Sequence, residues 1–214
     1  MRKKILLAII ITARFFTGHA QTDWKLKTDD EGIKVYTKSL PGSKIKAIKI
    51  ECTVQATMSQ LVYVIMDINT SKEWVYNTKS CVMLKQVSPL DLYYYSEVNV
   101  PWPVSNRDFV AHLTVAQNPS TKAVTVVAEN LPNLVPKKNN VVRIQQSDSK
   151  WVATPVGTNL VKIEYTLFAD PGGIVPAWLL NLFITRGPFE SFKKLREQVK
   201  KPAYINIHLA NIKD

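Results

Sequence analysis

Residues 169–181 read Ala169-Asp170-Pro171-Gly172-Gly173-Ile174-Val175-Pro176-Ala177-Trp178-Leu179-Leu180-Asn181. A strand ends, a Pro-Gly-Gly turn reverses the chain, and an amphipathic helix begins. The paired glycines supply backbone freedom that bulkier residues lack. Pro176 suits a first helical turn, where its missing N–H costs nothing. Beyond it Trp178, Leu179, Leu182 and Phe183 form one apolar stripe. Gly187-Pro188 is expected to kink or break the helix. Phe189, Phe192, Leu195 and Val199 carry the apolar face onward, with Lys193, Lys194, Arg196 and Lys200 mostly on the other face, and Pro202 stops the run. Residues 203–214 show no strong pattern.

Working back from that turn, Leu160–Ala169 alternates cleanly. Val161, Ile163, Tyr165 and Leu167 share one face, and Lys162, Glu164 and Thr166 the other, as a half-buried strand requires. Earlier strand runs are Ser80–Val87, Leu92–Val100, Arg107–Gln117, Ala123–Asn130, and Val141–Gln146 with Trp151–Thr154. Pro- and Gly-containing turns separate them, and such short connections imply an antiparallel meander. Upstream, Gly32–Ser39 reads as a strand, and Ile45, Ala47, Ile48, Ile50, Cys52 and Val54 as the next. The second shifts phase between Ala47 and Ile48, which allows a bulge. Thr57 to Met66 has the spacing of a helix with one buried face. Thr57 and Gln60 form a capping box there. Asp67–Asn77 continues as a shorter helical piece. The order is strands, a helical excursion, a strand meander and one long C-terminal helix, an α+β single domain.

Bulk properties narrow the function. The chain has 214 residues, 46% hydrophobic and 21% charged, ordinary for a folded domain. Residues 1–20 read as a signal peptide: Arg2, Lys3 and Lys4, an apolar run, then Gly18-His19-Ala20 before Gln21. An uncleaved anchor is the alternative, but the run is short for a bilayer and contains Arg14. Cleavage near Ala20 makes the protein exported, periplasmic or secreted. It lowers the net charge from +11 to +7, since Arg2, Lys3, Lys4 and Arg14 leave with the segment. That balance makes an anionic membrane surface a candidate partner. No arginine-aromatic cluster of a nucleic-acid reader is evident. Cys52 and Cys81 lie in apolar runs and are expected as free thiols.

Catalytic signatures are missing. There is no G-x-S-x-G elbow, no phosphate loop and no metal-ligand spacing, so no enzyme activity, metal or cofactor is expected. His112 falls on the opposite strand face from Phe109, Ala111 and Leu113, and reads as a surface histidine.

One further stretch is informative: Trp102-Pro103-Val104-Ser105-Asn106-Arg107-Asp108-Phe109-Val110. Arg107 is in phase with Phe109, Ala111, Leu113 and Val115. A charge on an apolar face must be paired or must meet a polar ligand group. Glu97 on the preceding strand is the candidate partner.

Taken together, Gly32-Ile33-Lys34-Val35-Tyr36, Trp74, the Pro-x-x-x-Arg-Asp-Phe-Val turn-strand and the Asp-Pro-Gly-Gly-x-x-Pro-x-Trp turn-helix resemble the START (steroidogenic-acute-regulatory-related lipid transfer) domain family, over about residues 24–201. The resemblance implies a helix-grip, Bet v 1-like fold. In it a curved antiparallel sheet surrounds the C-terminal helix, with two short helices after the second or third strand. It implies a domain over residues 21–205, a tail over 206–214, and a tunnel for one lipid, sterol-like or fatty acyl molecule. In sterol-binding members the arginine matching Arg107 lies in the tunnel and helps receive a polar group. The ligand-binding set expected here is Arg107, Glu97, Tyr94, Phe109, Val126, Tyr165, Leu179 and Phe183, in a monomer with the helix as lid and Gly187-Pro188 as its hinge. Two other readings compete: an aromatase/cyclase-like enzyme of the same fold, and an envelope scaffold with a filled core.

Overall fold

The computed structural model describes residues 24–43, 45–173, 175–176, 179–180 and 182–214, with the side chains of Leu182 and Phe183 outside that description. The leader expected over residues 1–20, and Trp178 of the expected helix stripe, therefore fall outside the described residues.

An N-terminal hairpin begins the described chain, and its first strand has no counterpart among the strands expected from sequence. β1 (Lys25–Asp30) and β2 (Ile33–Ser39) are antiparallel and joined at Glu31-Gly32. Both turn residues have positive φ, 48° and 67°, the twist a two-residue hairpin turn requires. β1 was hidden because its side chains are exposed or half-buried, so it lacks a strong apolar alternation. β3 (Lys46–Gln55) pairs with β2 without a register break. The phase shift near Ala47 is therefore not a bulge. Ile45 precedes the strand, where no pleat fixes its direction.

Helix α1 (Met58–Met66) starts at the expected capping box: the Thr57 hydroxyl accepts from the Gln60 N–H, and the Gln60 side chain accepts from the Thr57 N–H. A 3₁₀ turn (Ile68–Thr70) and the one-turn helix α2 (Ser71–Trp74) follow. Next come β4 (Thr78–Ser88), β5 (Asp91–Val98), β6 (Asn106–Gln117), β7 (Val124–Asn130), β8 (Val141–Arg143), β9 (Gln146–Gly157) and β10 (Leu160–Asp170).

The strands form one sheet in the order β1-β2-β3-β10-β9-β7-β6-β5-β4. Only β8 departs from antiparallel pairing, lying parallel beside the start of β6. The two pieces expected at Val141–Gln146 and Trp151–Thr154 are both present, but the first ends at Arg143 and the second begins at Gln146. The first strand ends where Arg143 pairs with Asp108 and fixes β8 to β6. Its guanidinium meets the Asp108 carboxylate at 2.8 and 3.1 Å.

After β10 the chain enters the C-terminal helix through Gly172 and Gly173, both at φ 66°, a left-handed conformation that favours glycine. A π turn (Leu182–Arg186) leads into α3 (Gly187–Gln198). The Gly187-Pro188 step is therefore not a break. Pro188 cannot donate to the turn before it, and the widened turn accommodates that loss.

Helix α3 lies in the concavity of the sheet. Phe192 is stacked on Trp151 at 5.0 Å between centroids and lies 5.5 Å from Tyr165. Leu195 and Val199 are buried below it. On the outer side Arg196 donates to the carbonyls of Glu31, Gly32 and Thr53, tying the helix to the first hairpin. The patternless segment after it also packs. Tyr204 and Ile212 are buried, and the Asp214 carboxylate accepts from the Ser59 N–H and hydroxyl of α1. No helix among the described residues is long and apolar enough to cross a membrane.

Candidate functional site

Strand alternation builds a cavity. Successive side chains of a strand face opposite ways, so every second residue of β5, β6, β9 and β10 points into the concavity. These are Tyr94, Ser96 and Val98; Arg107, Phe109, Ala111 and Leu113; Ser147, Ser149 and Trp151; and Tyr165, Leu167 and Ala169. Ile65, Ile68 and Trp74 line the α1–α2 side, and Leu180, Ile184, Pro188 and Phe192 the C-terminal helix side. The cavity volume is about 300 Å³, within the range of small-molecule sites.

The wall is aromatic and aliphatic, with few polar groups. Burial raises the pKa of the Tyr94 phenol, and raises that of Tyr165 to about 12 against a hydrogen bond with Ser149. Both are neutral phenols at physiological pH. Burial also raises the Cys81 thiol to about 11, against hydrogen bonds with Ser96 and Ser71. Cys81 and Cys52 are both free thiols. Among the described residues, two wall side chains have a buried polar atom without a hydrogen-bond partner, Trp74 at Nε1 and Asn130 at Oδ1.

Arg107 lies at the end of the cavity where β10 turns into the helix. Its Nε donates to the Pro171 carbonyl at 3.2 Å, Nη1 to Ser105 at 2.6 Å, and Nη2 to Gly172 at 3.2 Å. The expected ion pair with Glu97 is not formed. Cross-strand register sets Val98 opposite Arg107 and Glu97 opposite Asp108, so Glu97 faces the convex side. There it meets Lys79 at 2.8 Å, Lys138 at 3.6 Å and Asn106 at 2.9 Å.

Of the other expected positions, Tyr94, Phe109 and Tyr165 join Arg107 in the wall. Val126 is fully buried, but its strand reaches the cavity through Ala128 and Asn130. Leu179 is buried, and the neighbouring Leu180 lines the cavity instead. The Phe183 side chain lies outside the described residues. Sequence reasoning missed Trp151, Ser147 and Ser149, because it began that strand at Trp151. Extending the two-residue alternation back from Ala153 would have found all three. His112 is on the convex side, hydrogen-bonded to Asp91 at 2.8 Å and stacked on Tyr93. Among the described residues no group of three His, Cys, Asp or Glu is placed to hold a metal ion.

Comparison with known proteins agrees with this architecture. The START domain family model matches residues 18–204. An uncharacterized protein of Pseudomonas aeruginosa is 30% identical over 203 residues, covering 94% of this chain and 100% of its own length. The phosphatidylcholine transfer protein of Mus musculus is 28% identical over 167 residues, covering 74% of this chain and 75% of its own. A solved STAR-related lipid transfer protein fragment from Xanthomonas axonopodis superposes with a TM-score of 0.76 at 33% identity. That match covers 84% of this chain and 99% of the fragment.

Proposed function

Because the chain belongs to the START domain family, we propose that it binds one hydrophobic molecule, a lipid, sterol-like or fatty acyl compound, inside the cavity between sheet and C-terminal helix, and carries it without chemical change. The observation that supports this reading is the cavity of about 300 Å³ with a predominantly apolar wall. Burying roughly 400 Å² of ligand hydrocarbon supplies ~10 kcal/mol before the costs of ordering both partners. The buried phenols and the Cys81 thiol are neutral at physiological pH, so none is an activated nucleophile or base.

The C-terminal helix is the lid, and the protein acts as a monomer. Loading takes place at an anionic membrane surface, to which Lys194 and the lysines just beyond α3 are attracted. Co-sedimentation with anionic vesicles should fall as salt rises; binding unchanged by salt would contradict that part. The site of action is outside the cytoplasm. The protein recovered from its own cells should begin at Gln21, and an intact Met1 throughout would overturn the export reading.

Native mass spectrometry of protein purified from its own host, with organic extraction, tests the main proposal. One bound lipid per chain is the expected result. An empty protein that also takes up no fatty acid or sterol would overturn it.

A further inference from the structure

Arg107 is buried, charged and, among the described residues, without a carboxylate partner. It is 3% exposed and lines the cavity, and the acceptors it meets are the neutral carbonyls of Ser105, Pro171 and Gly172. The other buried arginine shows what is missing. Arg143 donates to carbonyls too, those of Pro132, Val135 and Pro136, but also to both carboxylate oxygens of Asp108. Burial alone lowers the Arg107 pKa, with no carboxylate opposing it.

The nearby acids are committed elsewhere. Glu97 and Asp108 face the convex side, paired with Lys79 and Arg143. Asp170 turns its carboxylate to the Gly172 N–H at 2.9 Å. None of the described lining residues is Asp or Glu, and the sequence has no acid between Asp170 and Glu190. The other charged residue among the described lining residues is Lys46. The cavity therefore carries net positive charge, and a buried cation met only by dipoles is strongly disfavoured unless an anion joins it. A guanidinium has five N–H donors. Three are engaged, which leaves one on each terminal nitrogen. Two oxygens of one acid group can accept that pair together.

We propose that the ligand is an anionic amphiphile, whose carboxylate or phosphate group is held by Arg107 while its hydrocarbon fills the cavity; this rests on the lipid-carrying reading above. A neutral molecule of the same length fills the same space and leaves the guanidinium uncompensated. Charge at the polar end thus sets which lipids are taken.

The test is displacement of the neutral fluorophore diphenylhexatriene from the whole protein by hexadecanoic acid, hexadecyl phosphate or methyl hexadecanoate. The acid, the phosphate or both should act at about 10- to 100-fold lower concentration than the ester. The stronger of the two names the source of the anion. Arg107→Met should abolish the preference while the ester still displaces. Arg107→Lys should keep a reduced preference, since it retains charge but not the fork. If the Met variant does not fold, the wild-type comparison and the Lys variant decide. Equal displacement by acid and ester would overturn the anionic specificity alone. If none of the three displaces the fluorophore, the lipid-carrying reading falls with it.

Discussion

Arg107 and Asp108 are adjacent on β6, yet their side chains serve opposite faces of the sheet. Asp108 closes a buried pair with Arg143, each side chain 1% exposed. Removing one member leaves the other charged and unpaired, so Asp108→Ala should cost ~3–5 kcal/mol in urea unfolding. The half-exposed Asp91–His112 pair offers a contrast, and Asp91→Ala should cost less than about 1 kcal/mol. Glu97 gives a pH signature. The hydrogen bond from Lys79 holds its carboxyl below the ordinary 4.5 despite the opposing effect of burial, with help from Asn106 and the Lys79 and Lys138 charges. A lowered folded-state pKa contributes stability that is present above pH 4.5 and lost as pH falls through the lowered value. Glu97→Gln should remove that contribution, so wild type and variant should converge in melting temperature as pH falls from neutral toward 3. The raised thiol pKa of Cys81, about 11, and of Cys52, about 12, leaves little thiolate at pH 8. Alkylation by iodoacetamide should be slow at both, and at Cys81, in the cavity wall, slower still once the cavity is filled.

The C-terminal helix is held by more than its apolar face. The Ser191 hydroxyl donates to the Gly187 carbonyl at 2.9 Å and accepts from the Tyr76 N–H at 3.0 Å, so one small side chain joins α3 to the strand connection beyond α2. Ser191→Ala strands the Tyr76 N–H and should cost ~1–3 kcal/mol, read by urea unfolding. Elements with a strong period were legible in sequence. The capping box at Thr57 and the alternation of Leu160–Ala169 both appear where expected. Elements defined by partners rather than by pattern were not. β8 is three residues long and exists because Arg143 reaches Asp108. The segment through Tyr204 and Ile212 lacks a period because its buried residues meet α1 and the Asp67–Thr70 turn singly.

At the scale of the molecule, the helix-grip arrangement follows from geometry that sequence carries well: an antiparallel sheet with one apolar face, and one long helix able to cover it. The cavity was only partly legible. Phase along β5, β6 and β10 placed Tyr94, Phe109, Arg107 and Tyr165 correctly, because alternation is local. The same alternation sets Glu97, three residues beyond Tyr94 on β5, on the opposite face, so pairing it with Arg107 went against the local phase. Helix phase did not choose correctly between Leu179 and Leu180, neighbours whose side chains point about 100° apart around a helix, so a one-residue error in phase exchanges them. The central claim is that the space between sheet and helix holds one apolar ligand. Its most direct test is a titration of a fluorescent fatty acid by energy transfer from Trp74 and Trp151, in wild type and in Ala111→Trp, which fills the cavity from its wall. The account predicts saturation at one probe per chain in the wild type and loss of transfer in a variant that remains folded. Saturable binding of equal strength in Ala111→Trp would contradict it.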